Sequence, residues 1–195
     1  MPDSTPEDRL ACLDRRRSTP ARHLAEPAPD QPTLLRMLAS AVRVPDHGKR
    51  VPFRFITVRG DARHVLGERL AARSIERDPA ASESTVEKDR QRFSLAPLVV
   101  TVVARLGPDA QIPEQERLLS AGSVCFALLQ AAQAFGHGAT WLTGWPAYDP
   151  VVHGWLGLEA DERVAGFIHI GTPTLEAPER ERPDPATLLT EWSPT

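Results

Sequence analysis

The chain of 195 residues is 41% hydrophobic and 25% charged, contains 19 prolines, and has a formal net charge of −3 at pH 7. These values predict one globular domain with many loops and give no overall electrostatic reason to bind nucleic acid or an anionic membrane. Two cysteines without metal-ligand spacing, no secretory signal and no apolar run of bilayer length predict a cytoplasmic protein.

In chain order, the pattern predicts helices interleaved with strands. Residues 1–8 are polar and are expected to be disordered or frayed around the start of a first helix near Thr5 or Pro6. Asp30 is predicted to cap a second helix, and the alternation in FRFITV, residues 53–58, predicts a strand.

The second half of the chain continues the same mixture. The elements predicted there are a helix over 62–76, a short helix from Ser84 in a mobile, lid-like segment, a buried strand from Leu98, a long helix over 113–135, a short strand in GHGATWL, a short helix over 150–155 and a strand ending at Gly171. Helices and strands mixed without an internal repeat predict an α+β fold with helices on a central sheet.

Two segments are predicted to need a neighbouring surface. The helix over 113–135 has few charges after Arg117, so it is expected to be buried nearly all round, in a core or a subunit interface. The Pro-rich tail, residues 174–195, carries apolar side chains that include Leu188, Leu189 and Trp192. We expect this tail to pack on a partner subunit.

The run RRRST, from Arg15 to Thr19, allows two interpretations. In the first interpretation, the arginines stabilise the carboxyl end of the first helix, where the helix dipole favours cations. Alternatively, guanidinium and hydroxyl groups converge on a phosphate. No GxGxxG or GxxxxGK[ST] loop is present, which argues against a Rossmann dinucleotide domain and a P-loop NTPase.

The loop RVPDHGKR supplies Arg43, His47 and further charged residues in one turn. Lys49 and Arg50 predict cationic surroundings for His47, and therefore a neutral imidazole that hydrogen-bonds a cofactor; the alternative is an ordinary surface histidine. The absence of GxSxG argues against a serine hydrolase, and the absence of HExxH or a similar histidine pair argues against a zinc site.

Together these segments resemble a known family. The matching motifs, in order, are RRS at Arg16–Ser18, LAEPAP, RVPDHGKRVPFRFITVRG, APLVVTVVA, SAGSVCFALLQAAQAFGHGATWLTG and VAGFIHIGTP. Each motif is weak alone. Their joint order, above all R-x-P-D-H before the first strand and W-x-[ST]-G after the long helix, is similar to the small, single-domain branch of the FMN-dependent nitroreductase family, over Leu13 to Pro173.

The resemblance implies a single nitroreductase-like domain over residues 1–195, with a central, mostly antiparallel sheet flanked by helices. It implies an intertwined homodimer with two FMN molecules at the subunit interface, each contacted by both chains. The site residues that it implies are Arg16, Arg17 and Ser18 around the ribityl phosphate and the polar edge of the flavin, Arg43 and His47 from the other loop, and Trp141, Leu142 and Thr143 along the isoalloxazine, partly through backbone groups. No catalytic side chain and no metal are implied, because FMN carries the hydride chemistry.

Two departures from the family pattern are visible. Leu142 stands where relatives carry an arginine, so only a backbone role carries over to it, and Val51-Pro52-Phe53 replaces the common QPW. The implied activity is transfer of a hydride from NADH or NADPH through FMN to a nitroaromatic, a quinone or an activated alkene. The alternative is a flavin- or ligand-binding dimer without significant turnover, acting as a carrier, sensor or interaction module.

Overall fold

The computed structural model describes residues 5–194. The helices within this range are α1 (Pro6–Asp14), α2 (Gln31–Ala41), α3 (Ala62–Arg77), α4 (Glu83–Gln91), α5 (Glu114–Ala134) and α6 (Pro150–Leu156). The strands are β1 (Leu24–Ala25), β2 (Phe53–Arg59), β3 (Leu98–Arg105), β4 (Gly138–Leu142) and β5 (Glu162–Pro173). None of these helices combines the length and apolar character needed to cross a bilayer.

The helix starts follow from side-chain caps. Thr5 and Asp8 form a reciprocal capping box before α1, with Asp8 N donating to Thr5 Oγ1 at 3.2 Å and Thr5 N donating to Asp8 Oδ2 at 3.0 Å. Residues 5–8 are therefore ordered, which corrects the expectation of disorder over 1–8; residues 1–4 lie outside the described residues. Asp30 accepts from Thr33 N at 2.9 Å and starts α2, as predicted.

The sheet is antiparallel throughout its described pairings. The strand order is β1-β5-β3-β2, and β4 also pairs with β5, which places β5 at the centre. The buried run of β3 pairs with Phe53–Arg59 on one side and with β5 on the other. The predicted α+β fold with a mostly antiparallel sheet is thus confirmed.

Helices cover both faces of the sheet. One face packs on α2 and α5 through a core that includes Leu98, Val100, Ile168 and Ile170. The opposite face packs on α3 and α6 through a second core, whose members include Val99 and Phe167. Alternate residues of β3 and β5 therefore serve different cores, as expected for a strand that is buried on both faces.

One expectation fails. The α4 segment is not a loose lid, because Asp89 is only 3% exposed and accepts a hydrogen bond from Ser74 Oγ of α3 at 2.8 Å. For helix α5 the core alternative does not hold all round, because Leu119 and Phe126 on one of its faces are 62% and 43% exposed, and the interface alternative stays a prediction. The buried face of α5 meets the sheet, and its exposed face lacks a cover within the described chain.

Candidate functional site

The arginine run is tied to the carboxyl end of α5 and to β4. Gln133 Oε1 accepts from Arg17 N at 3.1 Å, and Gln133 Nε2 donates to Arg15 O at 2.9 Å. Two residues later, Thr19 N donates to Ala139 O at 3.0 Å. The loop after α1 is therefore held at two points, and it lies where α5 ends and β4 begins.

Arg16 and Arg17 are used differently. Arg17 Nη1 donates to Asp14 O at 2.9 Å and to Arg16 O at 3.0 Å, and Arg17 Nη2 forms an ion pair with Glu179 of the tail. Arg17 therefore closes α1, which favours the helix-end interpretation for this residue. Arg16 donates only through Nη1, to Ser18 Oγ at 3.1 Å, so the described chain leaves its other donors for a ligand.

Two tail cations that sequence reasoning missed lie beside Arg16. Partial burial lowers the pKa of Arg16 from its usual value, and the positive charges of Arg182 and Arg180 lower it further. Both arginines belong to the segment ERER between Pro178 and Pro183. The alternating charges of this segment are the one feature of the sequence that could have drawn attention to these arginines. Arg16 beside the Ser18 hydroxyl, with further positive charge near it, is a donor set that suits a phosphate monoester, and Arg182 also forms an ion pair with Glu179 at 3.1 Å.

The third predicted group, Trp141, Leu142 and Thr143, follows along β4. Trp141 Nε1 donates to Ala165 O at 3.2 Å, and its ring lies against Gly166, where a Cβ would collide with the indole nitrogen. Trp141 and Leu142 are each 37% exposed. From Ala139, which is bonded to the arginine loop, strand geometry places Thr143 about 13 Å away. β4 thus runs away from the arginine loop towards the first half of α5, where the Trp141 ring lies 3.9 Å from the position of a Cβ on Gly122.

Arg43 and His47 lie elsewhere. His47 Nδ1 is 2.7 Å from Glu116 Oε2, near the amino end of α5, and Ser120 Oγ donates to Pro45 O at 2.8 Å. The surroundings of His47 are not purely cationic, contrary to the prediction, because His47 faces the Glu116 carboxylate and the nearby Arg50 guanidinium is paired with Asp109, its Nε donating to Oδ2 at 2.7 Å. Arg43 is exposed, and no described residue accepts a hydrogen bond from its guanidinium.

The two ends of α5 are too far apart for one flavin to bridge them within a chain. Glu116 contacts His47 and Gln133 contacts the arginine run. With a rise of 1.5 Å per residue, these two positions are separated by about 25 Å along the helix axis. Trp141 lies between these ends, because its ring is 3.9 Å from the position of a Cβ on Gly122, which is about 9 Å along the helix axis from Glu116 and about 16 Å from Gln133. The structure therefore does not bring the three groups of predicted site residues together within one chain.

The loop that carries His47 has a strained backbone. Lys49 and Val51 adopt φ of 53° and 48°, and a β-branched residue such as valine is disfavoured in this left-handed region. Asp46 stabilises the turn, because its carboxylate accepts from Arg50 N at 3.1 Å and from Val51 N at 2.8 Å. The loop is therefore held in one conformation by α5 at one side and by Asp46 at the other.

A cavity of about 850 Å³ opens beside Trp141, between the first half of α5, the end of β4 and α6. Its apolar wall includes Leu118, Leu119 and Gly122, and Tyr148 lies at its margin. A smaller cavity of about 230 Å³ lies beside Arg17 and His137. Burial lowers the pKa of His137. The described residues contain no group of three or more side chains suited to hold a metal ion.

Comparison with known proteins gives a consistent result. The family model described as "Nitroreductase family" matches residues 13–172. The chain is 34% identical over 184 residues to the protein of Escherichia coli K12 named "Putative NAD(P)H nitroreductase YdjA", covering 94% of this chain and 98% of that protein.

Solved structures show the same fold. The chain superposes on a nitroreductase-like family protein from Bacillus cereus with a TM-score of 0.79 and 23% identity, covering 99% and 98% of the two chains. It superposes on a mutant of the FMN and NADPH-dependent nitroreductase NfnB from Sphigopyxis sp. strain HMH with a TM-score of 0.75 and 18% identity, covering 94% and 98%.

Proposed function

The chain belongs to the nitroreductase family, and we propose that it is an FMN-dependent oxidoreductase whose two active sites form between two copies of the chain. The observation that carries this proposal is the guanidinium of Arg16, which donates only to Ser18 within the described chain and lies near the positive charges of Arg180 and Arg182. A phosphate monoester needs such a compact group of cations and hydroxyls, whereas a dinucleotide is commonly held by the glycine-rich loop that this sequence lacks.

The residues present fit FMN. Arg16 and Ser18, with Arg180 and Arg182 from the tail, would hold the phosphate, and the exposed end of β4 would lie along the isoalloxazine. When bound, FMN supplies the redox chemistry, taking a hydride from NADH or NADPH and passing it to a nitroaromatic, quinone or activated alkene. Trp141 provides a rigid wall, since its indole is fixed by Ala165 O.

The protein side chains are proposed to bind and orient rather than to react. Burial raises the pKa of the Cys125 thiol to about 12, so this cysteine is not a thiolate nucleophile at neutral pH. Cys12 and Cys125 are both unpaired, which supports the proposed cytoplasmic location.

A two-fold dimer would resolve the separation of the predicted site residues. If two α5 helices pack antiparallel through their exposed apolar faces, the amino end of one lies beside the carboxyl end of the other. The partner subunit's Arg43 and the partner subunit's His47 would then approach the cations around Arg16. Leu119 and Phe126, which are exposed near the middle of α5, are the side chains that such a contact would bury.

The tail supports the same assembly. Leu188, Leu189 and Trp192 are 71%, 79% and 82% exposed, although the chain up to Ala177 is anchored against the domain. Covering apolar side chains that are this exposed with a second surface lowers the free energy of the assembly. We therefore propose that residues 183–195 pack on the partner subunit, while Glu179 stays on Arg17 of its own chain.

One observation favours the second candidate, a flavin-binding dimer without significant turnover. Leu142 offers no side-chain cation at the exposed end of β4, so the negative charge of a reduced flavin would receive less stabilisation there. The oxidoreductase is preferred because the relatives that are 34% identical to this chain carry the name "Putative NAD(P)H nitroreductase".

The absorbance spectrum of the purified protein tests the proposal. We expect the absorbance bands of an oxidised flavin, and we expect heating to release FMN. Under anaerobic conditions, NADH or NADPH should bleach the flavin bands. Release of FAD would contradict the FMN assignment. A bound flavin that neither nicotinamide nucleotide reduces would support the carrier, and a protein that binds no flavin would overturn both candidates.

A further inference from the structure

A buried carboxylate, Asp89 of α4, lies on the face of the sheet opposite to α5. Its Oδ2 accepts from Ser74 Oγ at 2.8 Å, and its Oδ1 accepts from Arg92 Nη2 at 2.8 Å and from Trp145 Nε1 at 3.0 Å. With 3% exposure, Asp89 is a buried charge whose cost is offset only by these partners. Such a fully bonded cluster fixes the relative positions of the segments that it joins.

Two of these partners hold the turn that follows β4. Trp145 begins the 3₁₀ turn Trp145–Ala147, directly after Gly144, whose φ of 82° and ψ of −173° are reserved for glycine. Arg92 Nη1 lies 3.0 Å from the place that a Cβ on Gly144 would occupy. The Asp89–Arg92 pair therefore contacts the turn at its backbone and at its first side chain.

The charges around the turn keep this contact in place. Burial alone would raise the pKa of Asp89, but hydrogen bonds from Arg92, Ser74 and Trp145 outweigh it, so the pKa is lowered and the carboxylate stays ionised. The guanidinium of Arg77 lies 4.3 Å above the Trp145 ring and adds a cation–π contact. The indole is thus held from its edge and from its face.

We propose that Asp89 is a positioning residue for the flavin, acting through Trp145 on the backbone of Leu142 and Thr143 from the far side of the sheet. The inference rests on the proposed function, in which these two residues line the isoalloxazine partly through backbone groups. Backbone contacts cannot adjust by side-chain rotation, so their geometry depends on how the chain is held just after them. Here the first side chain after the turn is held by Asp89.

Trp145→Phe in the full-length protein tests this inference, because it removes the N–H that donates to Asp89 and leaves the Asp89–Arg92 pair intact. We expect the dissociation constant of FMN to rise severalfold, with about tenfold as the upper bound, reached when the whole contribution of one hydrogen bond, about 1.4 kcal/mol, is coupled to FMN binding. We also expect the visible circular dichroism of bound FMN to change. Asp89→Asn is expected to change both quantities in the same direction.

A matched variant separates positioning from general destabilisation. Ser74→Ala removes the third partner of Asp89 without touching the turn. It should lower the melting temperature but leave FMN affinity and circular dichroism unchanged. If Trp145→Phe binds FMN like the wild type, or if Ser74→Ala changes the flavin signal equally, the inference is overturned. A wild-type protein that binds no FMN would instead overturn the proposed function itself.

Discussion

The two ends of α5 differ in what their polar groups are already bound to. At the carboxyl end, Gln133 holds the backbone of the arginine run, and Arg16 keeps donors that no described residue uses. At the amino end, His47 is bound to Glu116, and its loop is fixed by Asp46 with a left-handed backbone at Val51. The carboxyl end keeps free donors that suit an anion, whereas the polar groups of the amino-end loop are mostly bonded within the chain.

This difference is the reason for proposing a site shared between two chains. The predicted groups at the two ends lie about 25 Å apart along α5, and in the proposed two-fold dimer a second copy would bring them together. In that dimer the exposed apolar face between them would set the antiparallel register that aligns one end with the other.

Phe126→Asp should have the largest effect on this arrangement. In an antiparallel pair of α5 helices it would bury two carboxylates near the two-fold axis, and each buried ion costs several kcal/mol. We expect light scattering to show a monomer at micromolar concentration and FMN binding to weaken by at least about a hundredfold. Val65→Asp, at an apolar side chain of α3 that is 55% exposed, is the control. A Phe126→Asp dimer with normal FMN binding would show that α5 is not the interface.

Arg16→Ala tests the carboxyl end. Loss of a charge-assisted contact with the phosphate should weaken FMN binding by about 2 kcal/mol, or about thirtyfold. Arg17→Ala should affect FMN less and stability more, because Arg17 is bound to Asp14 O and to Glu179. Arg59→Ala, an exposed arginine on β2, should change neither. Fluorescence titration would refute the assignment if Arg17→Ala weakened binding as much as Arg16→Ala.

Val51→Asn tests the strain at the amino end. Asparagine tolerates a positive φ, so the replacement should raise the free energy of unfolding by about 1 kcal/mol, as read from urea denaturation. Val51 is 52% exposed and loses little burial. Val65→Asn, at a similarly exposed helical position, should not stabilise the protein. No gain in Val51→Asn would mean that the loop stores no strain.

His137→Gln should give the smallest effect, and it concerns pH. Burial lowers the pKa of His137 below its usual value, and a backbone contact with Gly171 offsets part of this. As the pH falls, His137 is protonated in the unfolded chain at a higher pH than in the folded chain. Its contribution to the free energy of unfolding is therefore complete above about pH 6.5 and is lost as the pH falls towards the folded-state pKa.

The variant should lose less stability than the wild type between pH 7.5 and 5.5, and His64→Gln, at an exposed site, should behave like the wild type. Part of the acid sensitivity should persist in every variant, because burial also lowers the pKa of His169 to about 4. Equal pH profiles for His137→Gln and the wild type would contradict the prediction.

Much of the fold could be predicted because the determining signals are local. Caps such as Asp30, the β-branched run of β3 and the long apolar helix fix the elements within a few residues. The disorder expected over residues 1–8 was wrong for Thr5 to Asp8, since a capping box needs only two side chains. The lid expected around α4 was wrong because one buried carboxylate, Asp89, anchors an otherwise polar helix, and polarity alone does not reveal such a partner.

The candidate site was less predictable because it depends on contacts between distant segments. The resemblance named Arg16, Ser18 and Trp141, and the structure places Arg16 beside Ser18 but Trp141 farther along β4, against the first half of α5. The tail arginines at 180 and 182 were missed, since nothing in the sequence indicates that the tail returns to the first loop. The Glu116 partner of His47 was missed for the same reason, and neighbours along the chain gave the wrong sign of charge.

Mixed dimers test the central claim, that each flavin site takes residues from two chains, most directly. One tagged chain carries Arg16→Ala and the other carries Arg43→Ala with His47→Ala, and FMN binding is titrated for both homodimers and for the purified mixed dimer. A site shared between chains predicts that both homodimers bind weakly, whereas one of the two sites in the mixed dimer has wild-type affinity, because both changes fall in the other site. If both sites of the mixed dimer bind as weakly as the homodimers, the groups act within one chain and the claim is contradicted.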